Sequence, residues 1–483
     1  MQLSALLATD ARCETPSLDP EISGMTPDSR RVAPGFLFAA LSGSRTDGAR
    51  FIADAVAKGA VAVLVAGNVD ICVPPDVAVV RASEPRRALA LMAARFHGRQ
   101  PEVIVAVTGT NGKTSIAEFT RQIFASVGRE AASLGTIGLV RSSGASYGGL
   151  TTPDPVALQK SLADRAGAGI THLALEASSH GLDQHRLDGV RLTAAAFNNL
   201  GRDHLDYHPD MEAYLSAKLR LWELLEPGQV AVVNADGPAA DKAAAAATGR
   251  GLKLFTTGRN GGDLTLLDAR PQGFRQSLLI AHAGREHSVE LPLIGDYQAS
   301  NALVAAGLAL AAGEAIAPVL AAFPALEGVR GRLEVVAQTN EAIAVVDYAH
   351  KPEALSAALA ALRPFVSGRL VCIVGCGGDR DKGKRPIMGR IANDQADIAI
   401  ITDDNPRTEN PALIRREMLA DAPDAIEIGD RAEAVRHGVG LLGPGDVLLV
   451  AGKGHETGQI VGDKVLPFSD HDEIANAVAE RSA

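Results

Sequence analysis

Residues 103–114 (VIVAVTGTNGKT) carry an apolar strand into a glycine-rich loop ending Gly112-Lys113-Thr114, and a helical pattern follows. These residue types suit a polyphosphate. Gly109 and Gly112 let backbone N–H groups approach phosphate oxygens, and the helix N-terminus adds the positive end of its dipole. Lys113 supplies a point charge for β- and γ-phosphates, and the Thr114 hydroxyl can ligate Mg2+. The general loop pattern places glycine five residues before Gly112, where this chain has Val107, so the loop is the variant Gly-x-x-Gly-Lys-Thr. The plainer alternative is a tight strand-to-helix turn with a surface lysine.

Further polar residues gather after apolar runs. Glu176, in Glu-Ala-Ser-Ser-His-Gly, ends a strand and is placed to hold Mg2+ directly or through water. Asp203, His204, Asp206 and His208 follow another strand; one histidine there reads as structural, but the clustering favours function. Lys218 reads by default as a solvated helix lysine. Later strands are followed by Asp347, by Gly377–Arg380, by Asp404-Asn405-Pro406-Arg407, and by Gly452–Glu456.

The elements that must position these groups alternate. In the first 98 residues the patterns at 35–41 and 77–81 read as strands, those at 49–58 and 85–96 as helices. Gly98-Arg99-Gln100-Pro101 marks a boundary. Strands at 103–107, 172–175, 194–197 and 230–233, with a helix at 114–127, predict a parallel sheet with crossover helices. A β-rich stretch at 253–293 leads to an Ala-rich helix near Tyr297. From about 329, strands at 342–346, 370–374, 398–402, 425–428 and 447–450 alternate with helices at 352–364, 386–395, 411–419 and 431–441. That is a doubly wound module whose ligands lie beyond the carboxyl ends of its strands. The expectation is an α/β protein of three domains: a small N-terminal α/β domain at 1–98, a central P-loop-type parallel-sheet domain at 99–328, and a C-terminal Rossmann-like domain at 329–483.

Composition narrows the function. The 483 residues suit three domains at about 150 residues each. With 46% hydrophobic and 22% charged residues, the chain has the make-up of a folded protein. A net charge of −10, 4% aromatic residues and a single Trp argue against nucleic-acid binding. Four irregularly spaced cysteines form no disulfide framework. The N-terminus, MQLSALLATDAR, lacks a signal pattern, and the most apolar stretch, 302–323, is broken by Gly307, Gly313, Glu314 and Pro318. A soluble cytoplasmic monomer without a membrane partner is expected.

Taken in order, Thr108–Thr114, Glu176–Gly181, Asp203–His208 and Lys218 resemble the Mur ligases, ATP-dependent amide-bond formers of peptidoglycan synthesis. Within that family the Asp404–Arg407 run resembles the signature of the branch that adds meso-diaminopimelate. The resemblance implies that Gly109, Thr110, Asn111, Gly112, Lys113, Thr114 and Ser115 cradle ATP, with Asn301, Arg332 and Asp347 completing the nucleotide site. It implies that Thr114, Glu176, His204 and a carbamylated Lys218 serve Mg2+, and that Lys113, Lys218, His204 and Glu176 form the catalytic set. The UDP end of UDP-N-acetylmuramoyl-L-alanyl-D-glutamate would fall to Ser29, Ser44, Arg45 and Thr46, and its muramoyl-dipeptide to Thr151, Thr152, Ser178, Gln184 and Arg186. Leu150 stands where the family pattern leads one to expect Asn. For diaminopimelate the implied set is Arg380, Asp404, Asn405, Pro406, Arg407, Gly452 and Glu456. Its far end carries a carboxylate and an ammonium where lysine has only an ammonium, and the Arg380 and Arg407 forks suit that carboxylate.

Two other readings stay open. Folylpolyglutamate synthases share the variant loop and the ligase chemistry, although nothing folate-like is evident and the N-terminal domain would be unexplained. A P-loop ATPase switch would make no bond and would not need the C-terminal Arg/Asp/Glu set. The plain alternatives for Arg380 and for residues 452–456 are a solvated basic loop and an ordinary turn.

Overall fold

A computed structural model describes all residues except 16, 44–46, 68, 142–143, 147–150, 206, 340–341 and 483. Ser44, Arg45, Thr46, Leu150 and Asp206 therefore lie outside the described residues. The chain divides into two compact units, Met1–Thr265 with Leu303–Ala322, and Leu266–Ala302 with Phe323–Ala483. By compactness, residues 266–302 group with the C-terminal module.

The first unit contains two sheets. In the first 98 residues the order is Arg12–Cys13, Ala78–Ala82, Ala60–Ala66, Phe36–Ala39 and Gly24–Thr26, parallel except at the first strand. The second sheet runs Lys253–Gly258, Val230–Asn234, Ala194–Phe197, Val103–Thr108, His172–Glu176 and Ala131–Gly135 in parallel. It ends in the antiparallel strands Gly138–Arg141 and Gly144–Ser146. Its central strands are continuous apolar runs, as a sheet covered on both faces requires. Register does the functional work here. Glu176 pairs with Val107 and Phe197 with Thr108, so the loop after Thr108 and the polar residues after the two flanking strands emerge at one edge.

In the second unit the sheet order is Glu334–Thr339, Ala342–Asp347, Val447–Ala451, Leu370–Val374, Ile398–Ile401 and Ile426–Glu427. All pairs are parallel except the first, an antiparallel edge strand that the periodicity did not indicate. Proline at the first turn starts the helices Pro352–Leu362 and Pro411–Leu419, where its missing N–H costs nothing. Two hairpins, Arg275–His282 with Arg285–Leu291 and Gly458–Val461 with Lys464–Pro467, complete the unit. Among the described residues, no helix is long and apolar enough to cross a membrane.

Candidate functional site

The loop at the end of Val103–Thr108 is held by the neighbouring strand. Asn199 accepts from the Thr110 N–H through its backbone oxygen (3.0 Å) and side-chain oxygen (3.1 Å), and from the Asn111 N–H at 2.9 Å. Asn198 Nδ2 donates to the Asn111 carbonyl at 3.0 Å. Gly112 sits at φ 83°, a left-handed conformation that glycine adopts without strain, and the helix Lys113–Ser126 begins directly after it. Thr114 and Ser115 are buried in its first turn. The Lys113 ammonium folds back onto the carbonyls of Gly109 (2.8 Å) and Thr110 (2.9 Å).

Lys218 reaches the same place from the helix Met211–Leu219. It is 1% exposed, and its Nζ donates to the Gly109 carbonyl at 2.8 Å, the oxygen that Lys113 also contacts. Burial and the Lys113 charge push its pKa down to about 6 against a weaker opposing effect of Asp203. The reading as a solvated helix lysine is therefore overturned: no water-facing lysine is this buried. Its ammonium lies 4.3 Å from the Tyr214 ring centroid, and Tyr214 Oη meets Thr110 Oγ1 at 3.2 Å. The His204 ring is 6.1 Å from that of Tyr214 and 4.8 Å from that of His180.

Glu176 is buried and fixed from both oxygens: the Thr136 N–H donates to Oε1 at 2.7 Å and the Thr136 hydroxyl to Oε2 at 3.1 Å. Neighbouring Gly135 has no room for a side chain, since a Cβ there would lie 2.0 Å from Glu176 Oε1. Gly135→Ala is therefore expected to displace the carboxylate and lower the rate of any phosphoryl transfer at this site at least a hundredfold, with circular dichroism unchanged; an unchanged rate would show that Glu176 takes no part.

All five residues expected at the muramoyl-dipeptide share one network with Glu176. Thr152 Oγ1 donates to the Glu176 carbonyl (3.0 Å) and meets Ser178 Oγ (3.0 Å). Arg186 donates to the Thr152 carbonyl and to Gln184 Oε1, both at 2.7 Å. Thr151 joins through Thr136 Oγ1 at 3.0 Å. Ser29 stands apart in the first sheet's domain, buried at the head of a 3-10 turn capped by Asp28, with Lys58 donating to its carbonyl at 3.0 Å.

The second unit gathers the remaining residues. Asn301 Nδ2 donates to Gln298 Oε1 (3.1 Å), and Gln298 Nε2 to the Arg332 carbonyl (3.4 Å). Asp347 accepts from the Leu333 and Ala349 N–H groups at 2.8 Å each; burial raises its pKa against the opposing charge of Arg332. A cavity of about 590 Å³ lies beyond the strand ends and is lined by Arg380, Asp404, Asn405, Arg407, Gly452 and Glu456. Pro406 is buried in the same loop without lining it. Arg380 is exposed and donates to the Asp379 carbonyl at 3.1 Å.

The cavity also contains residues that motif reading passed over. His350 Nδ1 lies 2.7 Å from the Tyr348 carbonyl, so that nitrogen carries the proton and Nε2 keeps its lone pair; burial first, with Lys384 and Lys351, lowers its pKa. Lys384 donates to the His350 carbonyl at 2.7 Å. His350 stands in Asp-Tyr-Ala-His-Lys-Pro, directly after a strand, which was the available signal.

Three family models match: the Mur ligase family catalytic domain over residues 21–97, the Mur ligase middle domain over 107–309, and the Mur ligase glutamate ligase domain over 331–454. The chain is 56% identical over 462 residues to the UDP-N-acetylmuramoyl-L-alanyl-D-glutamate–2,6-diaminopimelate ligase of Agrobacterium fabrum, covering 95% of this chain and 94% of that protein. To the enzyme of the same name from Bradyrhizobium diazoefficiens it is 55% identical, with 100% of both chains covered. A solved structure of a ligase of that name superposes with a TM-score of 0.75 at 33% identity, over 100% of this chain and 99% of the other. With relatives of this identity along its whole length, and with its three domains matched in order, the chain belongs to the Mur ligase family.

Proposed function

We propose that the chain is an ATP-dependent ligase that adds meso-2,6-diaminopimelate to the D-glutamate of UDP-N-acetylmuramoyl-L-alanyl-D-glutamate, acting as a cytoplasmic monomer of three domains, 1–98, 99–328 and 329–483. The three family-model matches each fall inside one of these spans. One observation carries the substrate: a single cavity sets the guanidiniums of Arg380 and Arg407 beside the carboxylates of Asp404 and Glu456. That pattern complements an ammonium and a carboxylate on one ligand.

The D-glutamyl γ-carboxylate attacks the γ-phosphorus of ATP, giving an acyl phosphate and ADP. Lys113 offsets the charge that develops on the transferred group, a contribution of position and electrostatics. The amino-acid amine then attacks the acyl carbon, loses a proton and expels phosphate. His350 Nε2, held neutral with its lone pair available, is suited to accept that proton. Among the described residues no three His, Cys, Asp or Glu side chains converge as a metal cage. Mg2+ held mainly by phosphates needs only one or two protein oxygens, and the Thr114 hydroxyl and Glu176 carboxylate fit that demand. Such an ion would neutralise phosphate charge.

ADP release measured with the UDP-linked dipeptide and either meso-diaminopimelate or L-lysine tests this reading. Turnover is expected only with all three substrates and with diaminopimelate. Equal turnover with lysine would sink the specificity, and ADP release from ATP alone would favour a nucleotide switch.

A further inference from the structure

Behind the cavity lies a second tier of side chains outside its lining. Lys453 is fully buried, and its ammonium donates to Asn405 Oδ1 (3.0 Å) and Glu456 Oε2 (3.3 Å). Asn405 Nδ2 donates to the same Glu456 oxygen at 3.0 Å. Both inward bonds on Glu456 thus fall on Oε2, which leaves Oε1 as the oxygen offered to a ligand. A buried ammonium is tolerated only where such partners surround it, so Lys453 and the Asn405–Glu456 pair hold each other in one arrangement.

The hairpin Gly458–Val461/Lys464–Pro467 grips the same loop from outside. Gln459 Nε2 donates to the Asp404 carbonyl at 2.6 Å, and the Ile460 N–H to Asn405 Oδ1 at 2.9 Å. The Arg407 N–H donates to the Ile460 carbonyl (3.0 Å), and the Gly462 N–H to the Arg407 carbonyl (2.7 Å). Arg407 has φ 51°, a left-handed conformation unfavourable for a side-chain-bearing residue, which persists only where its surroundings impose it. Three residues of the loop, Asp404, Asn405 and Arg407, are each tied to the hairpin, and Asn405 is also tied to Lys453. Neither Lys453 nor Gln459 lines the cavity.

We propose that Lys453 and Gln459 are positioning residues that fix the Glu456 carboxylate and the Asp404–Arg407 loop for selection of an amino acid whose far end bears both a carboxylate and an ammonium. The inference rests on the proposed function. A side chain that only supported the fold would weaken all substrates alike; one that sets the geometry of the selecting groups affects the amino acid and spares ATP.

The test is steady-state kinetics of the full chain, with KM measured separately for ATP and meso-diaminopimelate and with L-lysine as the competing amine. Gln459→Ala and Lys453→Met are each expected to raise KM for diaminopimelate at least tenfold and to cut the diaminopimelate-to-lysine ratio of kcat/KM at least tenfold, with KM for ATP within twofold. Gln459→Ala removes one bond from a half-buried hairpin residue and strands no charge, so it decides the matter if Lys453→Met does not fold. Gln459→Lys, which keeps a donor of similar reach, is expected to retain most of the selectivity. An unchanged KM and ratio in Gln459→Ala would overturn the proposal, as would a fall in kcat shared by both amino acids at constant KM. If the unmodified chain accepted a different amino acid, the proposed substrate would fall, and the same comparison run with that amino acid would decide the positioning roles.

Discussion

Replacing Lys218 by alanine is expected to slow amide formation at least a thousandfold, a loss of about 4 kcal/mol of transition-state stabilisation. The reason is its placement. Two lysine Nζ atoms, of Lys113 and Lys218, converge on one carbonyl oxygen, that of Gly109, and Lys218 is fully enclosed. Burial, then repulsion from Lys113, brings the Lys218 pKa down to about 6, so near pH 7.5 it is mostly a neutral amine. A neutral amine can add CO2 and become a carbamate, and the resulting anion would replace repulsion of Lys113 with attraction. Acetate or propionate, small carboxylates that can enter the vacated space, are expected to restore part of the Lys218→Ala rate; a rate near that of the unmodified chain without them would end this role for Lys218. The same shift has a stability consequence in the nucleotide-free, magnesium-free chain. Below about pH 6 the group is protonated folded and unfolded, and near its ordinary value of 10.5 the two states again converge. Between these limits the unfolded chain binds more protons, so stability should rise with pH. Lys218→Met should remove that slope and raise the melting temperature most at the acid end of the window.

Where partners are local in sequence, the site was legible. The Gly109–Thr114 loop, its strand and its helix are contiguous, and the C-terminal helices announce themselves through Pro352 and Pro411 at their first turns. Asp154-Pro155 carries the same signal for the helix Pro155–Gly167, where Asp154 caps two N–H groups. What pattern could not supply is contact across the sheet. Asn198 and Asn199 hold a loop nearly ninety residues away, and only the register of Phe197 with Thr108 brings them there. Thr136 and Gly135 sit against Glu176 for the same reason, at the end of a neighbouring strand. The hairpin after Glu456 is four residues a side and partly exposed, too short for periodicity to mark, although it determines the backbone of Arg407.

Removal of the Arg407 guanidinium should lower kcat/KM for meso-diaminopimelate about a thousandfold and leave that for L-lysine within tenfold, reversing the preference. Arg407 Nη1 donates to the Gly378 carbonyl at 2.8 Å, which anchors one edge of the fork and leaves its other donors for a ligand carboxylate. A carboxylate enclosed in that cavity without its partner costs about 3–5 kcal/mol, enough for the stated loss. Lysine brings no such carboxylate and loses little. Alanine at this position would remove the guanidinium but keep the unfavourable φ of 51°, so a loss there could also come from a collapsed loop. Glycine removes the same group and accepts that φ freely. Arg407→Gly and Arg407→Ala should therefore lose selectivity equally while Arg407→Gly melts no lower than the unmodified chain. If Arg407→Gly kept its preference for diaminopimelate and only Arg407→Ala lost it, the loop conformation, rather than the charge, would be the selecting feature.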